Sequence, residues 1–536
     1  MDEQVAKVDE LFAKWDKPDS PGCAIAIMRE GRIIYERGYG LADLDHDVPV
    51  SPATIFHVAS VSKQFTAAAI VLLAHEGKLA LDDPVRAYVP EVGDFGVPLT
   101  IRHLIHHTSG LRDQWELLGL AGWRYSLDLI TNDDVLAVLS RQKHLNFPPG
   151  SEFMYSNTGY TVLAEIVARV SDRSFRAFTS SRIFDPLQMK STHFRDDHAE
   201  VVKDIAYGYV EQDGKYKLSI TNFDTVGATS LLTSVRDLAR WDENFYSGQV
   251  GGDALRAQML ECGKLNDGEA LEYAFGLMRG SYRGLGTVHH GGADAGYRAV
   301  FVRFPEQKFS VACLSNLGNV DPGALARTVA DIYLDGIFPQ AAERKLEPVK
   351  ISQTKLADRA GLYVHEAADD FLRMAFKDGK LRMILADGQG IELVPVTENH
   401  FRLGAFPVDL DFSEAMPECT ATITVSMPLQ KPRTYELAAP PDLRANDLLE
   451  YAGTYYSDEI ENRYDVTVAA GKLMLSSIKL KAVPLWPAAG DLFGGWFGRL
   501  RFTRDARGLV SGIRFNSSRV RDFVFAKIEP SEAIIG

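Results

Sequence analysis

Ser60 and Lys63 stand three residues apart at the head of the run Gln64-Phe65-Thr66-Ala67-Ala68-Ala69-Ile70-Val71-Leu72-Leu73-Ala74. Residues i and i+3 are neighbours on a helix surface, so the lysine amine can reach the serine hydroxyl. An ammonium held against an apolar helix loses solvation and leans toward the neutral amine, a base able to take the hydroxyl proton. A serine at a helix start also lies among backbone N–H groups with no intrahelical partner, which favour charge on an attacked carbonyl oxygen. The chemistry implied is nucleophilic attack by Ser60.

The pattern S-x-x-K also occurs at Ser140, Ser352 and Ser476. Ser140 ends the amphipathic stretch from Asp133 to Lys143, Ser352 sits in a polar linker, and Ser476 lies in the alternating strand Leu473 to Leu480. Only Ser60 opens a long apolar helix, so context selects it.

Two later motifs give the lysine company. Tyr155-Ser156-Asn157 follows Phe147-Pro148-Pro149-Gly150, a turn that places the tyrosine ahead of a helix expected over 161–170. A phenol beside an ammonium is stabilised as phenolate, so Tyr155 can share the proton leaving Ser60 and deliver it to a leaving group. The Asn157 amide can hold a substrate carbonyl or fix Lys63. His289-His290-Gly291-Gly292-Ala293 precedes the last strands of the first half; paired glycines allow close approach of a substrate backbone, and an imidazole there can orient a polar group or relay a proton.

The elements that must carry these groups read as follows. After a first helix, strands at 23–28 and 33–38 flank the turn Arg29-Glu30-Gly31-Arg32, and a second hairpin pairs 299–304 with 309–314 before an amphipathic helix over about 322–334. Strands from both ends with helices between them predict an α+β domain: an antiparallel sheet layered with helices, plus a helical subdomain over roughly 82–241. Beyond Gly336 the composition turns to strand and turn sequence, and one unit occurs twice. Gly361 answers Gly453, Gly379 answers Gly471 and Phe401 answers Phe493, each 92 positions apart. Each copy predicts a small antiparallel barrel or sandwich. The expected domains are 1–335 (catalytic), 336–355 (linker), 356–445 and 446–536 (β-units).

With 46% hydrophobic and 24% charged residues, the chain has the make-up of a globular protein, and its net charge of −14 argues against nucleic acid or an anionic membrane as partner. The N-terminal Met1-Asp2-Glu3-Gln4 is acidic and leads into a helical pattern, without the basic and apolar regions of a signal peptide, so a cytoplasmic location is expected. The longest apolar run, 67–74, falls far short of the ~18 residues that suggest a membrane span. Cys23, Cys262, Cys313 and Cys419 are scattered without C-x-x-C spacing, which points to neither a disulfide framework nor a zinc site. His103-Leu104-Ile105-His106-His107 offers metal-ligand types at helical spacing but is not H-E-x-x-H, so no metal or organic cofactor is expected. His57 reads as packing.

Taken together, Ser60-x-x-Lys63, Tyr155-x-Asn157 and His290-Gly291-Gly292 resemble the serine β-lactamase and penicillin-binding-protein group, especially its class C enzymes, esterases and D-aminopeptidases. His290-Gly291-Gly292 stands where many members carry Lys-Thr-Gly, as in D-aminopeptidase, and this departure argues against efficient β-lactam hydrolysis. Gly110-Leu111-Arg112-Asp113 and the two C-terminal β-units resemble the same branch. The resemblance implies a β-lactamase/transpeptidase-like fold, acylation of Ser60, proton handling by Lys63 and Tyr155, and assistance or substrate binding by His290. It further implies an oxyanion hole from the N–H groups of Ser60 and Ala293, with Asn157, Gly291 and Gly292 along the substrate. Asp113 and Asp294 become candidates for a substrate amine, and a homodimer is expected. In D-aminopeptidase a barrel loop enters the active site; the segment 490–498 is its expected counterpart, limiting substrate size. The activity expected is an aminopeptidase or amidase for short D-amino-acid-containing substrates. A carboxylesterase and a catalytically silent peptide-binding scaffold are the alternatives.

Overall fold

The computed structural model describes residues 2–125, 127–339, 349, 351–385, 388–404, 408–413, 420–427, 431–439, 441, 443–444, 446–495 and 497–529. It divides into two compact units: residues 1–114, 124–140 and 147–342, and residues 115–123, 141–146 and 343–536. Two short pieces from within the first 335 residues therefore belong with the C-terminal unit.

In the first unit, helix α1 (Asp2–Phe12) leads to strands β1 (Cys23–Arg29) and β2 (Arg32–Tyr39). Helices α2 (Lys63–His75), α3 (Asn157–Ser171) and α4 (Val235–Ser247) follow, then strands β3 (Met278–Tyr282), β4 (Leu285–Asp294), β5 (Tyr297–Phe304) and β6 (Phe309–Ser315), and helix α5 (Pro322–Tyr333). The sheet runs β3-β4-β5-β6-β1-β2, antiparallel throughout, so the chain's first hairpin joins its last one through Cys23↔Ser315, Ile25↔Cys313 and Ile27↔Val311. Both hairpins and α5 lie where the sequence predicts them.

Alternation of side chains across the central strands explains the layering. Cys23, Ile25 and Ile27 of β1 share one core with Val311 and Cys313 of β6, Val8 and Phe12 of α1, and Ala326, Val329 and Ala330 of α5. The alternate positions Ala24 and Ala26 are small, and α4 packs on that face. Trp241 of α4 is fully buried, its ring 4.8 Å from Phe65 of α2 and its Nε1 donating to Gln64 Oε1 at 2.7 Å. Helix α2 is buried from Lys63 to Leu73, which accounts for a sequence that is apolar all round.

In the second unit the two β-units are closed eight-stranded antiparallel barrels, from Gly361–His365 to Arg433–Ala438 and from Gly453–Ser457 to Phe523–Ile528, which settles the choice between barrel and sandwich. The repeat extends to detail. Tyr363 OH donates to Arg359 O at 3.2 Å and its counterpart Tyr455 to Tyr451 O at 2.7 Å. The turn glycines Gly379 and Gly471 both have positive φ, 74° and 70°, which a glycine adopts without steric penalty. The two barrels share the apolar cluster Leu362, Val364, Phe371, Ala488 and Leu492. Arg499 Nε donates to Asp370 Oδ1 at 2.9 Å, and Arg501 and Arg514 converge on Asp369. Within the segment 490–498, strand Leu492–Gly495 of the second barrel pairs with strand Gly498–Arg504, Gly495 opposite Gly498, and the Phe497 ring stacks against Phe515 and Tyr464. Trp496 lies outside the described residues, as do Cys419 and most of the expected linker. Among the described residues Cys23, Cys262 and Cys313 are free thiols, and no helix is long and apolar enough to cross a membrane.

Candidate active site

Ser60 lies in a 3-10 turn, Ala59–Ser62, that runs directly into α2 at Lys63. The sequence places the α-helix start at Ser60; the tighter turn precedes it instead. A 3-10 turn has about three residues per turn, so side chains at i and i+3 eclipse, and this sets Lys63 directly over Ser60. Ala59 has φ 48°, a left-handed conformation unusual for a residue with a Cβ. It is held by its own N–H donating to His57 Nδ1 at 3.3 Å and by Ser62 Oγ donating to its carbonyl at 2.5 Å. His57 therefore does more than pack: it fixes the backbone immediately before the serine. It is itself set by a small sheet in which His57 pairs with Leu232.

Lys63 is fully buried. Its Nζ lies 3.0 Å from Ser60 Oγ, 2.9 Å from Asn157 Oδ1 and 2.7 Å from Ala228 O. The Tyr155 and Tyr160 rings face the same nitrogen at 4.8 and 5.6 Å from their centroids, an arrangement that favours a cation. Helix α3 begins at Asn157, four residues earlier than the sequence suggests, because Ser156 is extended and serves as its N-cap residue. The Asn157 backbone N–H and its Nδ2 both donate to Asp113 Oδ2 at 2.8 Å. A carboxylate accepts, so the amide nitrogen must face Asp113 and the amide oxygen Lys63. Asp113 also places negative charge at a helix N-terminus, where it is stabilised.

His107, named in the sequence only as part of the candidate metal motif, supports the site in another way. Its Nδ1 accepts the Ser156 N–H at 3.1 Å, and its ring lies 4.3 Å from Tyr155, 4.5 Å from Tyr273 and 5.1 Å from Tyr160. The three histidines of the candidate metal motif are thus separately engaged. His103 closes a capping box with Thr100, and His106 Nδ1 lies 3.2 Å from Tyr273 O with burial holding its pKa down to about 4.

On the opposite wall β3 pairs with β4 only as far as His289, so from His290 to Asp294 the strand is paired with β5 alone. Gly291 and Ala293 are exposed along this stretch. An open strand edge can pair with an extended ligand backbone. Gly292 is required at its position: a Cβ there would fall on the Val58 carbonyl oxygen, so any side chain would push the strand off the Ser60 turn. His290 is buried, with Nε2 3.1 Å from Tyr273 OH and Nδ1 2.6 Å from Gly291 O. Burial is the main cause that holds its pKa down to about 3.

Neither acid expected to meet an amine is exposed. Asp113 is fully buried beneath Asn157. Asp294 is 7% exposed at the end of β4, accepting from Tyr125 OH and, at 3.1 Å, from Thr229 Oγ1, with His57 Nε2 at 3.9 Å. Burial and the neighbouring Asp294 charge push the Tyr125 phenol pKa up. Tyr273, Tyr125, Thr229 and Ala228 join the site without local sequence signals, because each arrives through the tertiary fold.

The Beta-lactamase family profile matches residues 8–334. Penicillin-binding protein 4* of Bacillus subtilis (strain 168) is 29% identical over 72% of this chain and 88% of its own length. D-aminopeptidase of Gluconobacter oxydans (strain 621H) is 24% identical over 95% of this chain and 96% of its own, so that alignment takes in the barrels as well. Among solved structures, the octameric penicillin-binding protein homologue from Pyrococcus abyssi superposes with a TM-score of 0.57 at 24% identity, over 81% of this chain and 99% of the other. The protein is therefore an enzyme of the serine hydrolase class, its sheet-and-helix unit has the β-lactamase/transpeptidase-like fold, and the chain belongs to the Beta-lactamase family.

Proposed function

We propose that the enzyme hydrolyses short peptides or amides bearing a D-amino acid, through an acyl-enzyme on Ser60. The observation that carries this reading is the trio of oxygens around Lys63 Nζ. A neutral amine has two N–H groups and one lone pair. Asn157 Oδ1 and Ala228 O can only accept, so they take both hydrogens and leave the lone pair aimed at the Ser60 hydroxyl.

In this reading Ser60 Oγ bonds to the substrate carbonyl carbon as its proton passes to Lys63. The resulting ammonium donates to all three oxygens and faces two aromatic rings. Backbone N–H groups of Ser60 and Ala293 receive the oxyanion. A proton handed on through Tyr155 completes the leaving amine as the C–N bond breaks; water then attacks the ester, returning its proton to the same pair and releasing the acid. The Gluconobacter oxydans D-aminopeptidase, alignable along nearly the whole chain, supports the choice of substrate. Self-association, as a homodimer, belongs to the same reading; sedimentation at the mass of one chain would remove it.

The test is hydrolysis of D-alanine p-nitroanilide, its L-enantiomer and p-nitrophenyl butyrate side by side, with Ser60→Ala as the blank. Selective cleavage of the D-anilide is expected. Butyrate turnover alone makes the enzyme an esterase, and failure of a serine-directed fluorophosphonate to label Ser60 makes it a scaffold.

A further inference from the structure

His290 occupies the place where a residue of the substrate edge could act as acid, base or anchor, and its hydrogen bonds decide among these. Nδ1 faces the Gly291 carbonyl, which only accepts, so Nδ1 carries the hydrogen. In the neutral ring Nε2 must then accept, and the donor it faces is Tyr273 OH. Both nitrogens are spent on the protein, so a proton can enter or leave only by breaking one of these bonds.

Tyr273 is built to hold that position. It is fully buried, its ring wedged against His107, Phe153 and Tyr155. Its own carbonyl receives the Gly263 N–H at 3.0 Å and faces His106 Nδ1. The charged and titratable groups around His290 are Lys63 from α2, the Tyr155 phenol ahead of α3, Tyr273, and His289 on its own strand. Among these, only Tyr273 is hydrogen-bonded to the imidazole.

We propose that Tyr273 is a positioning residue. It locks His290 as the neutral Nδ1–H tautomer, and the His290–Gly291 hydrogen bond then fixes the peptide that opens the substrate edge. The role rests on the hydrolase reading only for its kinetic consequence; the tautomer itself is a property of the free enzyme.

Tyr273→Phe keeps the ring and its packing and removes one hydroxyl. The measurement is the nitrogen NMR spectrum of ¹⁵N-histidine-labelled enzyme from pH 5 to 8, assigned with His290→Gln. It is joined to the fluorophosphonate labelling rate at Ser60 and the kcat and KM for D-alanine p-nitroanilide. In the wild type the His290 signals should show Nδ1 protonated and Nε2 bare throughout. In Tyr273→Phe they should move to a mixture of tautomers or to titration within the range. Labelling and kcat should fall about tenfold, the size expected when one buried group loses its hydrogen bond, with KM much less affected. A fall in Tm with unchanged His290 signals and unchanged labelling reduces Tyr273 to packing and overturns the proposal. If the signals and labelling change but no D-anilide is cleaved even by the wild type, the substrate reading fails while the role of Tyr273 stands.

Discussion

Asp113 receives both the backbone N–H and the side-chain Nδ2 of Asn157 on one oxygen, Oδ2, at 2.8 Å each. Through that pair a buried carboxylate sets which end of the Asn157 amide faces Lys63, and so helps to hold the base in place. The charge assists the helix start and the amide geometry together.

Asp113→Asn can keep one oxygen under both Asn157 N–H groups, but it removes the negative charge from the helix start and puts an N–H group where Asp113 Oδ1 stood. We expect kcat to fall by about one to two orders of magnitude and stability by roughly 1–3 kcal/mol, the usual range for a buried hydrogen bond to a charged group. Chemical denaturation together with steady-state kinetics checks both. Full activity in a folded variant would show that Asn157 finds its orientation without the acid.

Ser60→Ala should abolish turnover, and Lys63→Ala and Tyr155→Phe should each lower it by orders of magnitude. The variants should differ in stability. Ser60 is partly exposed and its truncation is nearly neutral, whereas loss of Lys63 strips a donor from the buried Asn157 Oδ1 and Ala228 O at about 1–3 kcal/mol each. Thermal unfolding of the set, run beside activity, separates chemistry from folding.

Gly292→Ala puts a methyl group on the Val58 carbonyl oxygen. The strand edge and the Ser60 turn must then part, and displacements of this kind near reacting atoms lower rates by about a hundredfold. Reduced fluorophosphonate labelling of a protein with near wild-type circular dichroism is the expected result; undiminished labelling would mean that the contact yields without effect.

Stability should fall as the pH drops below neutrality. His290 and His106 are held down to about 3 and about 4 by burial, against 6.5 when unfolded. Their folded pKa values lie below the unfolded one, so the unfolded chain binds the extra protons. Their contribution is complete above about 6.5 and is lost as pH falls toward the folded values, by about 1.4 kcal/mol per pH unit for each histidine. Urea unfolding at pH 7, 6 and 5 tests this, and His106→Gln should flatten the slope by one proton. An unchanged slope in that variant would remove His106 from the account.

The sequence by itself determined the parts whose information is local. Ser60 and Lys63 are three apart at a helix start, the hairpins 23–38 and 299–314 carry their own turn signals, and the 92-residue repeat announces two like β-units. Local periodicity also suffices to make α2 a buried helix. It could not say that a 3-10 turn precedes that helix, because the left-handed Ala59 depends on His57, and His57 on a strand pairing with Leu232, some 175 positions away. The role of Asp113 was hidden for the same reason, since a buried acid and an exposed loop acid have the same letter and differ only in what packs over them. His107 likewise gains meaning only when Ser156 is brought to it, and Tyr273 only when β4 brings His290 to it. Side-chain chemistry is written residue by residue, whereas burial and hydrogen-bond partnership are properties of distant segments brought together, and these only the tertiary structure decided.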